Sequence, residues 1–300
     1  MLVFDMSEKI AVLLTAFNPD VSSLVRKVEG LSKGGLFVFL ADNSDDIITQ
    51  RSLNSQTDYL NDVVYIDMKG NKGIAAAQNS GLERALLDGF NYFVELDQDT
   101  SLDSDTVYKL VDSFKSVKSI DSNCFGLGPI AIDVDTNLPY HGLAPNQGIV
   151  KVEHTLSSGF TFSKDSIERV GLKENDLFID LVDWEWCMRG NHEGLTTYVN
   201  TDIKIDHELG EGHLDLLIFR LGSPKPFRLY FQYRNLIWLL GRGYIPLKWK
   251  VKRVLISSVK ILLFAILYED RVERLKHIFS GVKDGLGGYM KFFKSRERDS

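Results

Sequence analysis

Three hundred residues with 44% hydrophobic and 25% charged content suit one large globular domain, or a domain with an appendage, and exclude a disordered or fibrous chain. The net charge of −6 conceals a division: residues 220–300 carry 18 Lys and Arg against 6 Asp and Glu, a net +12, whereas residues 1–219 carry 17 against 35, a net −18. The acidic and basic parts read as different functional units, and charge alone does not choose between nucleic acid and anionic lipid as the partner of the second.

Cys124 and Cys187 lack metal-type spacing, and the short acidic start, Met1 to Glu8, leads straight into a strand-like run without the form of a signal peptide. Reduced thiols and a cytosolic face are expected.

Lys9 to Phe17 is continuously apolar and stops at Asn18-Pro19, the pattern of a buried parallel strand. Asp20 or Ser22 is placed to cap a helix to about Leu31. Further strands are expected at Leu36–Ala41, ending in Asp42-Asn43-Ser44-Asp45, and at Val63–Asp67, running into Lys69-Gly70-Asn71-Lys72-Gly73. A helix from about Ile74 to Leu87 follows, its inner surface kept small by Ala75, Ala76, Ala77 and Gly81.

The fourth strand, Tyr92-Phe93-Val94-Glu95-Leu96, delivers Asp97-Gln98-Asp99 to a strand end. Alternate residues of an extended chain project to one side, so Asp97 and Asp99 can face one ion. Such oxygen ligands suit Mg²⁺ or Mn²⁺, which take their remaining ligands from phosphates and water. A polar turn is the bland alternative for an isolated D-x-D.

Alternating strands and helices predict an α/β fold with an open, mainly parallel sheet. Ligands of such sheets sit beyond the carboxyl ends of the strands, where Asn18, Asp42, Asn71 and Asp97 all fall, so these ends read as one nucleotide site. The chain has neither a G-x-x-x-x-G-K-S/T loop nor a G-x-G-x-x-G fingerprint after the first strand. A carboxylate-held metal is the available way to handle phosphate charge.

Farther on, Asp103, Ser104 or Asp105 is expected to cap a helix over Thr106–Lys118, with another strand at Cys124–Ile130 and loop at 141–148. Thr155 to Ser163 reads as a strand with a glycine bulge or as a cleft-lining segment. In the run Asp180-Leu181-Val182-Asp183-Trp184-Glu185-Trp186-Cys187-Met188-Arg189, a helical centre would put Asp180 and Asp183 on one face. Carboxylates among aromatics are costly to desolvate, which raises a carboxyl's pKa toward values useful to a base. The alternative is a helix start with acids at its positive end.

Ile203 to Asp206 reads as a short strand ending at His207, and Phe227 to Trp238 as an aromatic helix containing Arg234. Val254 to Tyr268 is the most apolar segment. As a helix it would reach about 22 Å, short of a hydrocarbon core of about 30 Å. With Lys248, Lys250, Lys252 and Arg253 before it and Arg271, Arg274 and Lys276 after it, it fits an element lying on an anionic inner leaflet, or else a helix packed on the preceding domain.

The motifs A-F-N-P at 16–19, D-N-S at 42–44, N-K-G-I-A-A-A-Q-N-S-G at 71–81 and L-D-Q-D-T at 96–100 together resemble the nucleotide-sugar half of family 2 glycosyltransferases of the GT-A fold. L-D-Q-D combined with N-x-G-x-A-x-A-x-N-x-G is similar to the branch that transfers L-rhamnose from dTDP-rhamnose in bacterial surface-polysaccharide synthesis, including O-antigen. The likeness runs over about residues 9–240.

It implies a GT-A catalytic domain over 1–219, with a nucleotide-sugar half at about 9–103 and an acceptor half at about 104–219, followed by a helical membrane-association region at 220–300. It implies donor contacts at Asn18, Asp42, Asn43, Asn71, Lys72, Gly73, Asn79 and Gln98, and Mg²⁺ or Mn²⁺ on Asp97 and Asp99. His207 is the third candidate ligand, ahead of His213; as a neutral-ring ligand it would lose the metal on acidification.

Inverting transfer would use Asp183 as base, with Glu185 the runner-up and Asp180 also open, because the acids are spaced D-x-x-D-x-E where the family more often has adjacent ones. Arg234, in the run Tyr230-Phe231-Gln232-Tyr233-Arg234-Asn235, would pair with the diphosphate through its guanidinium fork. The implied partners are a dTDP-sugar, or a UDP-sugar, as donor, a lipid-linked saccharide as acceptor and the inner face of the cell membrane. No nucleic-acid partner is expected. The rivals are a UDP-hexose-dependent transferase of the same fold, a metal-dependent nucleotidyltransferase and a non-enzymatic membrane-bound binding module.

Overall fold

The computed structural model describes residues 9–134, 137–139, 142–207, 213–215, 220–222 and 224–296, with the backbone alone at His207, at 213–215, at 220–222 and at 289–296. Eight strands form one sheet in the order β3-β2-β1-β4-β7-β5-β8-β6. These strands are β1 (Ile10–Ala16), β2 (Phe37–Asp42), β3 (Val63–Asp67), β4 (Tyr92–Asp97), β5 (Cys124–Asp133), β6 (Ile149–Val152), β7 (Thr161–Ser163) and β8 (Thr196–His207). β1 is buried on both faces, which is why it reads as an unbroken apolar run, and it pairs in parallel with β2 and β4.

The first half is all parallel, as expected. The second half is mixed: β7 lies antiparallel between β4 and β5, and β6 runs antiparallel on the edge beside β8. A further pair, β9 (His213–Asp215) and β10 (Arg220–Gly222), forms a separate two-stranded ribbon.

Helices fill the crossovers. α1 (Val21–Lys33) is capped by Asp20, whose carboxylate accepts from Ser23 N–H at 2.7 Å, and α4 (Ser104–Ile120) by Asp103, which accepts from Thr106 N–H at 2.8 Å. α2 (Ile47–Thr57) is capped by Asp46. Its segment has no strong apolar period, which is why the sequence reading placed no helix there; its anchors are Leu53 and two buried polar residues, Gln50 and Thr57.

α3 (Ile74–Leu87) lays its small face on the sheet, and α5 (Lys164–Val170) and α6 (Val182–His192) cover the second half. Cys124 and Cys187 are both buried and free, and burial pushes both thiols up to about 12.

Three helices close the chain: α7 (Pro226–Leu240), α8 (Leu247–Leu267) and α9 (Arg271–Arg296). α7 joins the main body, where Leu236 and Leu239 share a core cluster with Ala75, Leu177, Val182, Met188 and Trp249. α9 lies tightly along α7 because glycines face it: a Cβ on Gly285 would sit 2.8 Å from Ile237 Cβ and 3.0 Å from the Arg234 carbonyl oxygen.

α8 buries only Trp249 and Phe264, and it exposes Leu247, Val251, Leu255, Val259, Leu262 and Ile266 at successive helical turns. Among the described residues no helix is long and apolar enough to cross a membrane.

Candidate active site

The parallel strands end at one cleft edge, and side chains from successive ends are tied to one another. Asn18 stands at φ 43° just past β1; its N–H donates to Ser44 Oγ at 2.8 Å and its amide to Asp45 at 2.6 Å. Asp42 is fully buried, accepting from Tyr65 OH at 2.7 Å and from Ser44 N–H at 3.0 Å. Asn43 joins the next loop: its amide donates to Asn71 Oδ1 at 3.0 Å and its Oδ1 accepts Lys72 N–H at 2.7 Å.

Gln98 Oε1 accepts Phe17 N–H at 2.7 Å, tying the loop after β4 to that after β1. The expected donor residues Asn18, Asp42, Asn43, Asn71, Lys72 and Gln98 therefore form one continuous rim, and the polar strand ends serve first as its scaffold. Gly73 caps α3 at φ 89° with no room for a side chain, because a Cβ there would lie 2.6 Å from the Phe178 ring. Asn79 is buried and holds the 173–175 segment, donating to the Lys173 carbonyl at 2.8 Å and Asn175 Oδ1 at 2.7 Å while accepting Lys173 N–H at 3.1 Å.

Asp97 ends β4 and Asp99 stands two residues on in the turn, exposed. Asp97 Oδ2 accepts Ser158 Oγ at 2.8 Å and Ser157 Oγ at 3.2 Å. Beneath the turn, the Lys27 ammonium donates to the carbonyls of Gln98 and Asp97. Burial lowers the pKa of Lys27 while Asp99 and Asp97 pull it upward.

Two carboxylates at a strand end fit a hard divalent cation by donor chemistry. Among the described residues no group of three His, Cys, Asp or Glu side chains is gathered for a metal. His207 ends β8, and the side chains of His207 and His213 lie outside the described residues.

Across the cleft, the three candidate bases part company. Asp180 does not share a helical face with Asp183: α6 begins only at Val182, and Asp180 precedes it at φ 65°, bound by both arms of Arg228 at 2.7 and 3.2 Å. Glu185 is buried, gripped by Arg189 at 2.8 and 3.1 Å and by Tyr244 OH at 2.6 Å. Asp183 is the one turned to the cleft serines, Oδ2 accepting Ser157 N–H at 3.2 Å. Its Oδ1 accepts from the Lys173 ammonium at 3.1 Å.

Arg234 is already engaged. Its guanidinium donates to the carbonyls of Asp176 and Leu177 at 2.6 and 3.0 Å and lies over the Trp238 and Phe231 rings. Neighbouring Asn235, fully buried, donates to the carbonyls of Leu177, Ile179 and Asp180 at 2.8, 2.8 and 2.9 Å. Arg234-Asn235 is thus a clamp on the loop that starts α6, where Phe178, Asp180 and Leu181 all hold positive φ.

Sequence reasoning did not find Lys27, Glu95 or Lys173. Glu95 had a signal, a lone carboxylate in the apolar centre of β4; Lys173, in a polar loop, had none.

Comparison with known proteins bears on the fold and the family. Residues 21–126 match the family described as Glycosyl transferase family 2. The chain is 28% identical to dTDP-rhamnosyl transferase RfbF of Shigella flexneri over 296 residues, covering 94% of this chain and 97% of that protein. It is 26% identical to poly-beta-1,6-N-acetyl-D-glucosamine synthase of Staphylococcus aureus over 162 residues, 50% of this chain and 37% of the other.

Among solved structures, S. aureus TarS 1-349 in complex with UDP-GlcNAc superposes with a TM-score of 0.58 at 13% identity, covering 92% of this chain and 81% of that one. GalNAc-T7 with UDP, GalNAc and Mn²⁺ superposes at 0.54 with 14% identity, covering 73% and 45%. The open eight-stranded sheet with its flanking helices is similar to these GT-A structures. With residues 21–126 matching a family 2 glycosyl transferase model on this fold, the chain is a glycosyltransferase.

Proposed function

We propose that this glycosyltransferase moves L-rhamnose from dTDP-rhamnose to a hydroxyl of a lipid-linked saccharide, with inversion and with a divalent metal, at the inner face of the cell membrane. The observation that carries the chemistry is the pair Ser157-Ser158: its hydroxyls bind Asp97, and its first N–H binds Asp183. One short segment sets the diphosphate side against the base side. The choice of donor is supported by similarity along nearly the whole chain to a dTDP-rhamnosyl transferase; a UDP-hexose is the second reading, supported by the UDP-GlcNAc complex of a similar fold.

The reaction proposed is a single displacement. Asp183 takes the proton of the acceptor hydroxyl as its oxygen attacks C1 opposite the nucleotide. The rim from Asn18 to Lys72, with Gln98, orients the nucleotide, and Gly73 allows the close packing of α3 that shapes it. Mg²⁺ or Mn²⁺ on Asp97 and Asp99, with His207 as a further candidate, supplies neutralisation of the departing diphosphate when bound. Lys27 fixes the turn that presents both carboxylates. Arg234, its fork taken up by 176–177 and Asn235, serves by holding that loop, and Glu185 by locking α6 to Arg189 and Tyr244.

The exposed apolar face of α8, flanked by Lys248, Lys250 and Lys252, is proposed to lie on anionic lipid.

A thermal-shift panel of dTDP and UDP with and without Mn²⁺ tests the donor reading. Stabilisation by dTDP over UDP that requires metal is the expected result; indifference to both nucleotide and metal defeats it. Cosedimentation with phosphatidylglycerol vesicles, lost in a Leu255→Asp/Leu262→Asp variant that keeps its donor binding, checks the membrane face.

A further inference from the structure

The Lys173 side chain is 1% exposed, and its ammonium contacts Glu95 Oε2 at 2.7 Å, Gln78 Oε1 at 2.8 Å and Asp183 Oδ1 at 3.1 Å. Three acceptors match the three protons of an ammonium. The backbone is fixed as well, since Asn79 pins both the N–H and the carbonyl of Lys173. The Trp186 ring, 4.8 Å away, closes another side. Burial alone disfavours the charge, yet Glu95 and Asp183 hold the ammonium's pKa above its ordinary value. Burial pushes the Glu95 carboxyl up to about 7, against the pull of Lys173.

A buried ion pair is weak evidence for stability, because desolvation offsets its attraction and a well-packed apolar pair often replaces it without loss. Two carboxylates on one ammonium are more than burial requires. They differ in access: the Glu95 side chain is 2% exposed and that of Asp183 25%. The buried carboxylate anchors the cation and the accessible one is what the cation holds. With Lys173 on Oδ1 and Ser157 N–H on Oδ2, the Asp183 carboxylate is fixed at both oxygens, and each keeps acceptor capacity for an incoming hydroxyl.

We propose that Lys173, anchored on Glu95 and Gln78, is a positioning residue that sets the Asp183 carboxylate toward the acceptor hydroxyl in this transfer. The inference rests on Asp183 being the base. It makes β4 a shared beam: the inward Glu95 braces the base side, and Asp97, two residues on, serves the diphosphate side.

The test is a cycle of full-length variants: K173M/E95L, which removes the pair without stranding either charge, D183N, and the triple variant. The assay follows dTDP release from dTDP-rhamnose with a bacterial lipid extract as the acceptor source. The expected result for folded K173M/E95L is kcat lowered about 30-fold or more with donor KM within about threefold, and no further loss on adding it to D183N, as groups acting as one unit behave.

Turnover within about threefold of the parent in folded K173M/E95L, with D183N inactive, overturns the positioning role and leaves the base assignment standing. Parent-like turnover in D183N brings down the base assignment and the positioning role together. Should the apolar pair not fold, K173Q/E95Q is held to the same criterion.

Discussion

The two acidic segments of the cleft are built by different means. Asp97 and Asp99 follow from local geometry: a strand buried in mid-sheet ends at Asp97, and a turn closed by Thr100 N–H on the Asp97 carbonyl brings Asp99 to the surface. Asp183 is placed by contacts from far along the chain. Its loop is held by Asn235 and Arg234 from α7, its oxygens by Lys173 and Ser157, and its neighbours Asp180 and Glu185 are drawn away by Arg228 and Arg189. An acidic pair at a strand end is placed by the strand and the turn that follows it. One that straddles a helix start is sorted residue by residue according to the cation each finds.

Charge removal at either segment is the strongest way to break the comparison. Asp97→Asn and Asp183→Asn are each expected to lower transfer about 1,000-fold, the scale of a lost general base or of lost electrostatic stabilisation. Melting temperatures should stay near the parent value, and a shortfall in D97N alone would separate the two sides.

Next comes the packing of α3 on the loop before α6. Gly73→Ala combines a positive φ with a Cβ that overlaps the Phe178 ring and backbone. A cost of about 3 kcal/mol in urea unfolding is expected from the left-handed backbone and the overpacking together. A change below about 1 kcal/mol would mean that α3 and the 178 loop are free to separate.

Asn235→Ala should affect only the helix-start side. It strips donors from three carbonyls, of which some recover water, so about 2 kcal/mol of stability is at stake. Donor-induced thermal shifts should persist in it, because the rim does not rest on Asn235. Smallest is Ser158→Ala, which removes one hydroxyl from Asp97. A hydrogen bond to a charged group is worth roughly 1.5 kcal/mol, about tenfold in transfer.

The sequence by itself determined the first half of the fold and its rim. Buried parallel strands are apolar throughout and must end in polar residues, so β1 to β4 and the ends at Asn18, Asp42, Asn71 and Asp97 stand in the pattern of residues, as does the glycine before α3. The motifs there also carried the family likeness. α2 escaped notice because its anchors are mostly polar.

Only the tertiary structure decided the second half. Whether Asp180, Asp183 or Glu185 faces the cleft depends on where α6 begins, and that is set by Asn235 from 55 to 58 positions away. Lys173 meets Glu95 across 78 positions, and Arg234 finds backbone carbonyls where its type suggested a diphosphate. Local periodicity reports which face of an element is buried. It does not report which buried charge lies opposite, because that partner arrives through the packing of distant segments.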